Sequence, residues 1–179
     1  KDFKNFKINW FINLNQSIQV DVGNLFSAMP IVNNSSRIVI SSNLSTFIID
    51  SNTGEIITKK NFSASVRPII QNNYVFLITE ENLLISINLI NGDIIYSYDI
   101  NEQIAQFLKI KKDTAHFKSL MFATHTISPF LNNSHILNLQ NTGQLYKINK
   151  LPKTIKTHPI FISDSILYLT NKKKLIILD

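Results

Sequence analysis

The sequence predicts an all-β protein, a β-propeller of four-stranded antiparallel blades, and three observations carry that expectation. The first is one turn used three times. DSNTGEII at 50–57, LINGDII at 89–95 and LQNTGQLY at 139–146 hold three of the four glycines in the chain. The second is spacing. Pro30 and Pro68 each stand 24 residues before a turn glycine, Gly54 and Gly92, which sets a period of 38 residues. A period of that size marks a repeat architecture. The third is the strands themselves. RIVISS, YVFLIT and SILYLT are nearly continuous apolar runs, the pattern of strands buried on both faces. Repeated four-stranded sheets reach that state by packing between neighbouring sheets, as propeller blades do. A sandwich buries one face of each sheet and has no such repeat.

The elements follow in order. KINWFINL at 7–14 reads as the last strand of a preceding blade, and the long loop 15–28 leads on from it. Residues 29–61 form a blade from MPIV, RIVISS, STFIID and EIITKK; residues 67–99 form the next from RPII, YVFLIT, LLISINL and DIIYSYD. The stretch 100–117 is an insertion. It reads as a surface excursion over a blade edge, in which Ile104, Ala105, Phe107 and Leu108 supply one face of a short helix. The third blade, 118–149, is set by matching Gly143 to Gly54, which aligns it with 29–60 without a gap and puts Ser119 at the proline position. That register drops Pro129 into a middle strand, where a ladder donor is normally wanted. Residues 158–179 give three strands of a final blade. Middle strands are expected near 37–42, 74–79, 125–131 and 165–170. Gly54, Gly92 and Gly143 are expected at positive φ, where a Cβ would clash in a hairpin turn with a bulge.

Composition narrows the function. Hydrophobic residues make up 44% and charged residues 17%, which fits a folded domain and not a disordered one. No apolar run approaches the roughly 20 residues of a membrane helix. The net charge is +6, yet only Arg37 and Arg67 among the 18 cations are arginine. Nucleic-acid readers favour the arginine fork, so no nucleic-acid partner is expected. Zero cysteines exclude disulfides and thiol chemistry. Asp50, Glu55, Glu80, Glu81, Asp93 and Asp99 sit at or near turns without converging. His116, His125, His135 and His158 are scattered over separate strands and loops, so no metal site, catalytic residue or cofactor is expected.

An apolar strand, an acidic or amide residue, x-x-(T/N)-G, two apolar residues and an aromatic together resemble the quinoprotein-type β-propeller repeat. Tyr96 stands where that repeat often has Trp, Trp10 fits the same last-strand position, and Thr58 departs from it. The resemblance covers the chain outside 100–117. Within it, the order of features is similar to the second half of the BamB family, lipoproteins of the outer-membrane barrel-assembly machine. A Trp-bearing strand precedes a long loop, two well-formed repeats follow, and the chain ends after a third strand.

This resemblance implies half of a ring of about eight blades, or a four-bladed ring closed by 7–14. It implies a non-catalytic scaffold in the periplasm at the outer membrane, with any lipid anchor lying upstream of these residues. The protein partner would be the barrel-inserting subunit BamA, met by the 15–28 loop. The contact residues would be Ile18, Val20, Val22 and Phe26, with Asp21 as a polar contact. Two other functions remain open: a ligand- or peptide-binding ectodomain, and part of a quinone-cofactor dehydrogenase.

Overall fold

The computed structural model describes residues 7–14, 30–42, 44–123, 125–162 and 165–178. Among the described residues, strand and bridge positions account for 52% and helix for 7%, so the protein is all-β. The first sheet takes β1 (Val32–Asn33), β2 (Arg37–Ser41), β3 (Thr46–Asp50) and β4 (Ile56–Lys60) in chain order. The second takes β5 (Ile69–Gln71), β6 (Tyr74–Ile78), β7 (Leu83–Asn88) and β8 (Ile94–Asp99). Helix α1 (Ile100–Leu108) follows. The third sheet takes β9 (Phe117–Ala123), β10 (Thr126–Leu131), β11 (His135–Gln140) and β12 (Leu145–Lys150). β13 (Ile160–Ile162), β14 (Ser165–Leu169) and β15 (Leu175–Leu178) form the last. All are antiparallel meanders, the blades of a propeller.

The continuous apolar runs are explained by what each blade face meets. In β6, Val75 and Leu77 point to the first blade and pack with Val39 and Ile48. Phe76 and Ile78 point the other way and pack with Leu120, Ile127 and Leu137 of the third blade. Phe76 also stacks on Phe122, ring centroids 5.8 Å apart. Phe130 and Ile136 then meet Tyr168 of the last blade. A strand between two sheets must be apolar at successive positions, because the pleat sends alternate side chains to opposite cores.

The repeated turn is built from its own sequence. Gly54, Gly92 and Gly143 have φ of +77°, +77° and +84°. The Asp50 carboxylate accepts the amides of Asn52 (2.9 Å) and Thr53 (3.1 Å), and Asn88 accepts that of Ile90 (2.8 Å). A register shift lies just ahead of each turn, between Ile48 and Ile49, Ser86 and Ile87, and Asn138 and Leu139. In the first two turns the acidic or amide residue before the glycine thus folds back to satisfy turn amides, and in the third Gln140 accepts the Thr142 hydroxyl instead.

The last-strand position explains why the glycines lack a side chain. A Cβ on Gly54 would lie 2.7 Å from the Trp10 ring, one on Gly92 2.5 Å from Thr58, and one on Gly143 2.6 Å from Tyr96. Each blade turn is therefore a seat for a residue of the element before it. Trp10 Nε1 donates to the Ser51 carbonyl at 3.0 Å, and the Tyr96 hydroxyl donates to that of Asn141 at 3.0 Å. Thr58, the departure from the aromatic pattern, fills the same seat with a smaller group.

The third blade follows the Gly143 register. Pro129 sits in β10 opposite Leu120 of β9. Toward β11, ladder pairs flank it at Ile127–Leu139 and Phe130–Ile136 but skip it, which accommodates the missing N–H.

Residues 7–13 join none of the four sheets, so 7–14 does not complete the last one, and no preceding blade stands among the described residues for it to edge. Trp10 is held by the turn it docks on. One expectation is corrected. The helix turns a different face inward. Ile100 is fully buried and Ile104 packs on the core, whereas Phe107 and Leu108 are exposed. Only the first turns of α1 lie over the cleft between blades, so its C-terminal end extends past the core.

Candidate partner-binding surface

The residues expected to meet a partner, Ile18, Val20, Asp21, Val22 and Phe26, lie outside the described residues. Their flanks do not. Trp10 anchors the chain just before the loop, wedged against Gly54 and hydrogen-bonded to Ser51. With Trp10 turned inward, its neighbours face out: Ile8 is 83% and Phe11 85% exposed. On the other side of the loop, Ile31 is 58% exposed, while the adjacent Val32 is buried. Large apolar side chains are thus held in water on both flanks, which is the composition of a contact surface. Ile8, Phe11 and Ile31 were missed in the sequence. The available signal was Phe11 beside a docked Trp10, since adjacent residues of one chain rarely enter the same core.

The acidic residues have structural work. Asp50 pairs with Arg37 (2.6 Å) and caps its own turn. Hydrogen bonds from the Asn52 and Thr53 amides hold its carboxyl below the ordinary value, and Arg37 adds to this. Arg37 also donates from Nε to the Leu89 carbonyl at 3.0 Å, which ties the first blade to the second. Asp99 caps α1, accepting the Glu102 amide at 3.1 Å, and pairs with Lys112. Burial pushes the Asp99 carboxyl up, but the Lys112 and backbone hydrogen bonds outweigh it and leave it lowered.

The histidines do not converge. His158 Nδ1 meets Ser119 Oγ at 3.1 Å, and His135 Nδ1 turns back to Asn133. Among the described residues no three His, Cys, Asp or Glu side chains gather to hold a metal ion.

Helix α1 braces the third blade. Gln103 Nε2 donates to the Gly143 carbonyl at 3.0 Å, and its Oε1 accepts the Leu145 amide at 2.7 Å. Among the described residues a cleft of about 480 Å³ lies where Tyr98, Gln103, Phe107 and Leu145 meet, and two smaller ones lie between blades. One, of about 230 Å³, is lined by Tyr74, Phe76, Tyr96 and Phe122 with Ser86 and Asn141. Burial pushes the Tyr96 hydroxyl well above the ordinary tyrosine value, so it stays a proton donor to its carbonyl partner. The other, of about 210 Å³, lies between the third and last blades and holds Asn138, whose Nδ2 has no hydrogen-bond partner. Neither brings together an acid, a base and a nucleophile.

No protein-family model matches the chain, and no curated protein matches it in sequence. Solved structures do match in fold. BamB from Moraxella catarrhalis superposes with a TM-score of 0.64 at 14% identity, over 89% of this chain and 48% of that one. The computationally designed protein Ika4 superposes at 0.62 and 11% identity, over 88% and 93% of the two chains. The designed Ika8 gives 0.61 and 11%, over 84% and 45%. The chain spans about half the length of the BamB and Ika8 chains. At these identities the likeness is one of fold.

Proposed function

We propose that this chain is a non-catalytic propeller scaffold that binds a protein partner through the 15–28 loop and its flanks. The role we assign is the BamB-like one, at the periplasmic side of the outer membrane, with BamA as the partner. One observation carries the reading. Ile8, Phe11 and Ile31 are held in water on the two flanks of the segment 15–28, whose sequence holds Ile18, Val20, Val22 and Phe26. The fold likeness to BamB supports the scaffold, and the order of sequence features supports the choice of partner.

Interface energy concentrates in a few buried apolar anchors, with rim charges contributing less. Val20→Ser with Phe26→Ser should therefore weaken capture of BamA more than Asp21→Arg alone. Pull-down is read beside a melting curve. Normal capture by a folded variant that carries Val20→Ser, Phe26→Ser and Asp21→Arg together removes the site, and no capture by the unaltered chain removes the BamB-like role.

A further inference from the structure

The lysines are not spread evenly over this molecule. Each blade is a meander, so its second turn and the connection to the next blade open on one face, and its first and third turns open on the other. Hydrogen bonds confirm that the former sit together. The Ile100 amide donates to Asn82, the Asn132 amide to His116, and the Leu151 amide to Ser134. Ile155 bridges Thr170.

On this face, over the third and last blades, basic side chains gather. Lys153 and Lys156 flank the Ile155 bridge, and Lys172, Lys173 and Lys174 follow one residue after Thr170; all five are exposed. Lys109 and Lys111 are exposed on the connection after α1, where Lys112 is paired with Asp99. The acids on the same face are Glu102 and Asp113 near that connection, and Glu80 and Glu81 on the second blade. The opposite turns, 34–36, 51–55, 72–73, 90–93 and 141–144, contain no lysine and carry Glu55 and Asp93. Aliphatic side chains stand among the lysines: Ile110 and Leu175 are 54% and 65% exposed.

We propose that this face is a contact surface for an anionic lipid bilayer. Lysines on separate loops present diffuse positive charge, which suits mobile headgroups and acts in the field of an anionic surface. Aliphatic tips at the same level can enter the headgroup region, as on interfacial segments. One feature speaks against nucleic acid: there is no arginine from 109 to 178.

The test is flotation of the chain with phosphatidylcholine vesicles, with and without phosphatidylglycerol. Binding is expected only where phosphatidylglycerol is present. It should disappear near about 1 M salt, where the screening length is about 3 Å. Lys153→Glu with Lys172→Glu and Lys174→Glu should lower binding roughly tenfold or more. Lys173 is left unchanged because its φ is +58°. Lys109→Glu with Lys111→Glu, on a separate connection, gives a second reading should the first variant misfold. Lys147→Glu, within β12, should change nothing. Equal binding to neutral vesicles, full binding by a folded charge-reversed variant, or capture of a duplex oligonucleotide in place of vesicles would overturn the proposal.

Discussion

Replacing Gly54 with alanine strikes the repeat at the point where two constraints meet. The residue has φ of +77°, a region that costs an L-residue about 1–2 kcal/mol. The new Cβ would also stand 2.7 Å from the Trp10 ring, so the indole must leave its seat. Leaving breaks the Nε1 bond to Ser51, which contributes about 1 kcal/mol. Together these give a loss of about 2–3 kcal/mol, or roughly 4–12 °C in melting temperature for a chain of this size. Trp10 is the only tryptophan, so its fluorescence reports the seat directly. Gly54→Ala should shift emission to the red. In a Trp10→Ala background the same substitution should cost only the backbone share, leaving a coupling of about 1 kcal/mol. Unchanged emission, or strictly additive losses, would refute the docking argument.

Helix α1 yields three further tests. Ile104→Ser should lower the melting temperature clearly, as Ile104 packs on the core, while Phe107→Ser should leave it nearly unchanged. Gln103→Ala removes two hydrogen bonds to the third blade and should cost about 1–3 kcal/mol by denaturant unfolding. Asp99→Ala removes the cap and should cost about 1 kcal/mol. The Asp99 carboxyl is lowered from its ordinary 3.8, so its contribution is full above that value and lost as pH falls through the lowered one. Lys112 is raised from 10.5 by its bond to Asp99, so its contribution is full below that value and lost as pH climbs through the raised one. An acid titration of the helical signal should show the unaltered protein losing an advantage over Asp99→Ala only below about 3.8.

The blades were legible because their determinants are local. A glycine turn, an Asp or Asn ahead of it and a continuous apolar run can each be read along the chain, and β2, β6, β10 and β14 lie where the runs put them. Pro129 looked like a conflict because the sequence does not tell which neighbour a strand position bonds; in the fold its ladder pair is to β9. The inward face of α1 could not be read from periodicity. Ile100 and Ile104 are chosen by where the cleft between the second and third blades lies, a tertiary fact. The seats for Trp10, Thr58 and Tyr96 were visible as an aligned position, but not the glycine each one covers, because that contact crosses from blade to blade. The exposed flanks Ile8 and Phe11 were hidden for a related reason: apolar residues in a repeat read as core until the neighbouring sheet is placed.

Hydrogen exchange on this chain, with and without BamA, tests the scaffold reading most directly. Amides in 7–31 should slow on binding, while the blade strands, already protected by their ladders, should change little. Slowing confined to other surfaces, such as the basic face at 150–174, would contradict the assignment of the partner site. No change anywhere at saturating BamA would contradict the partnership itself.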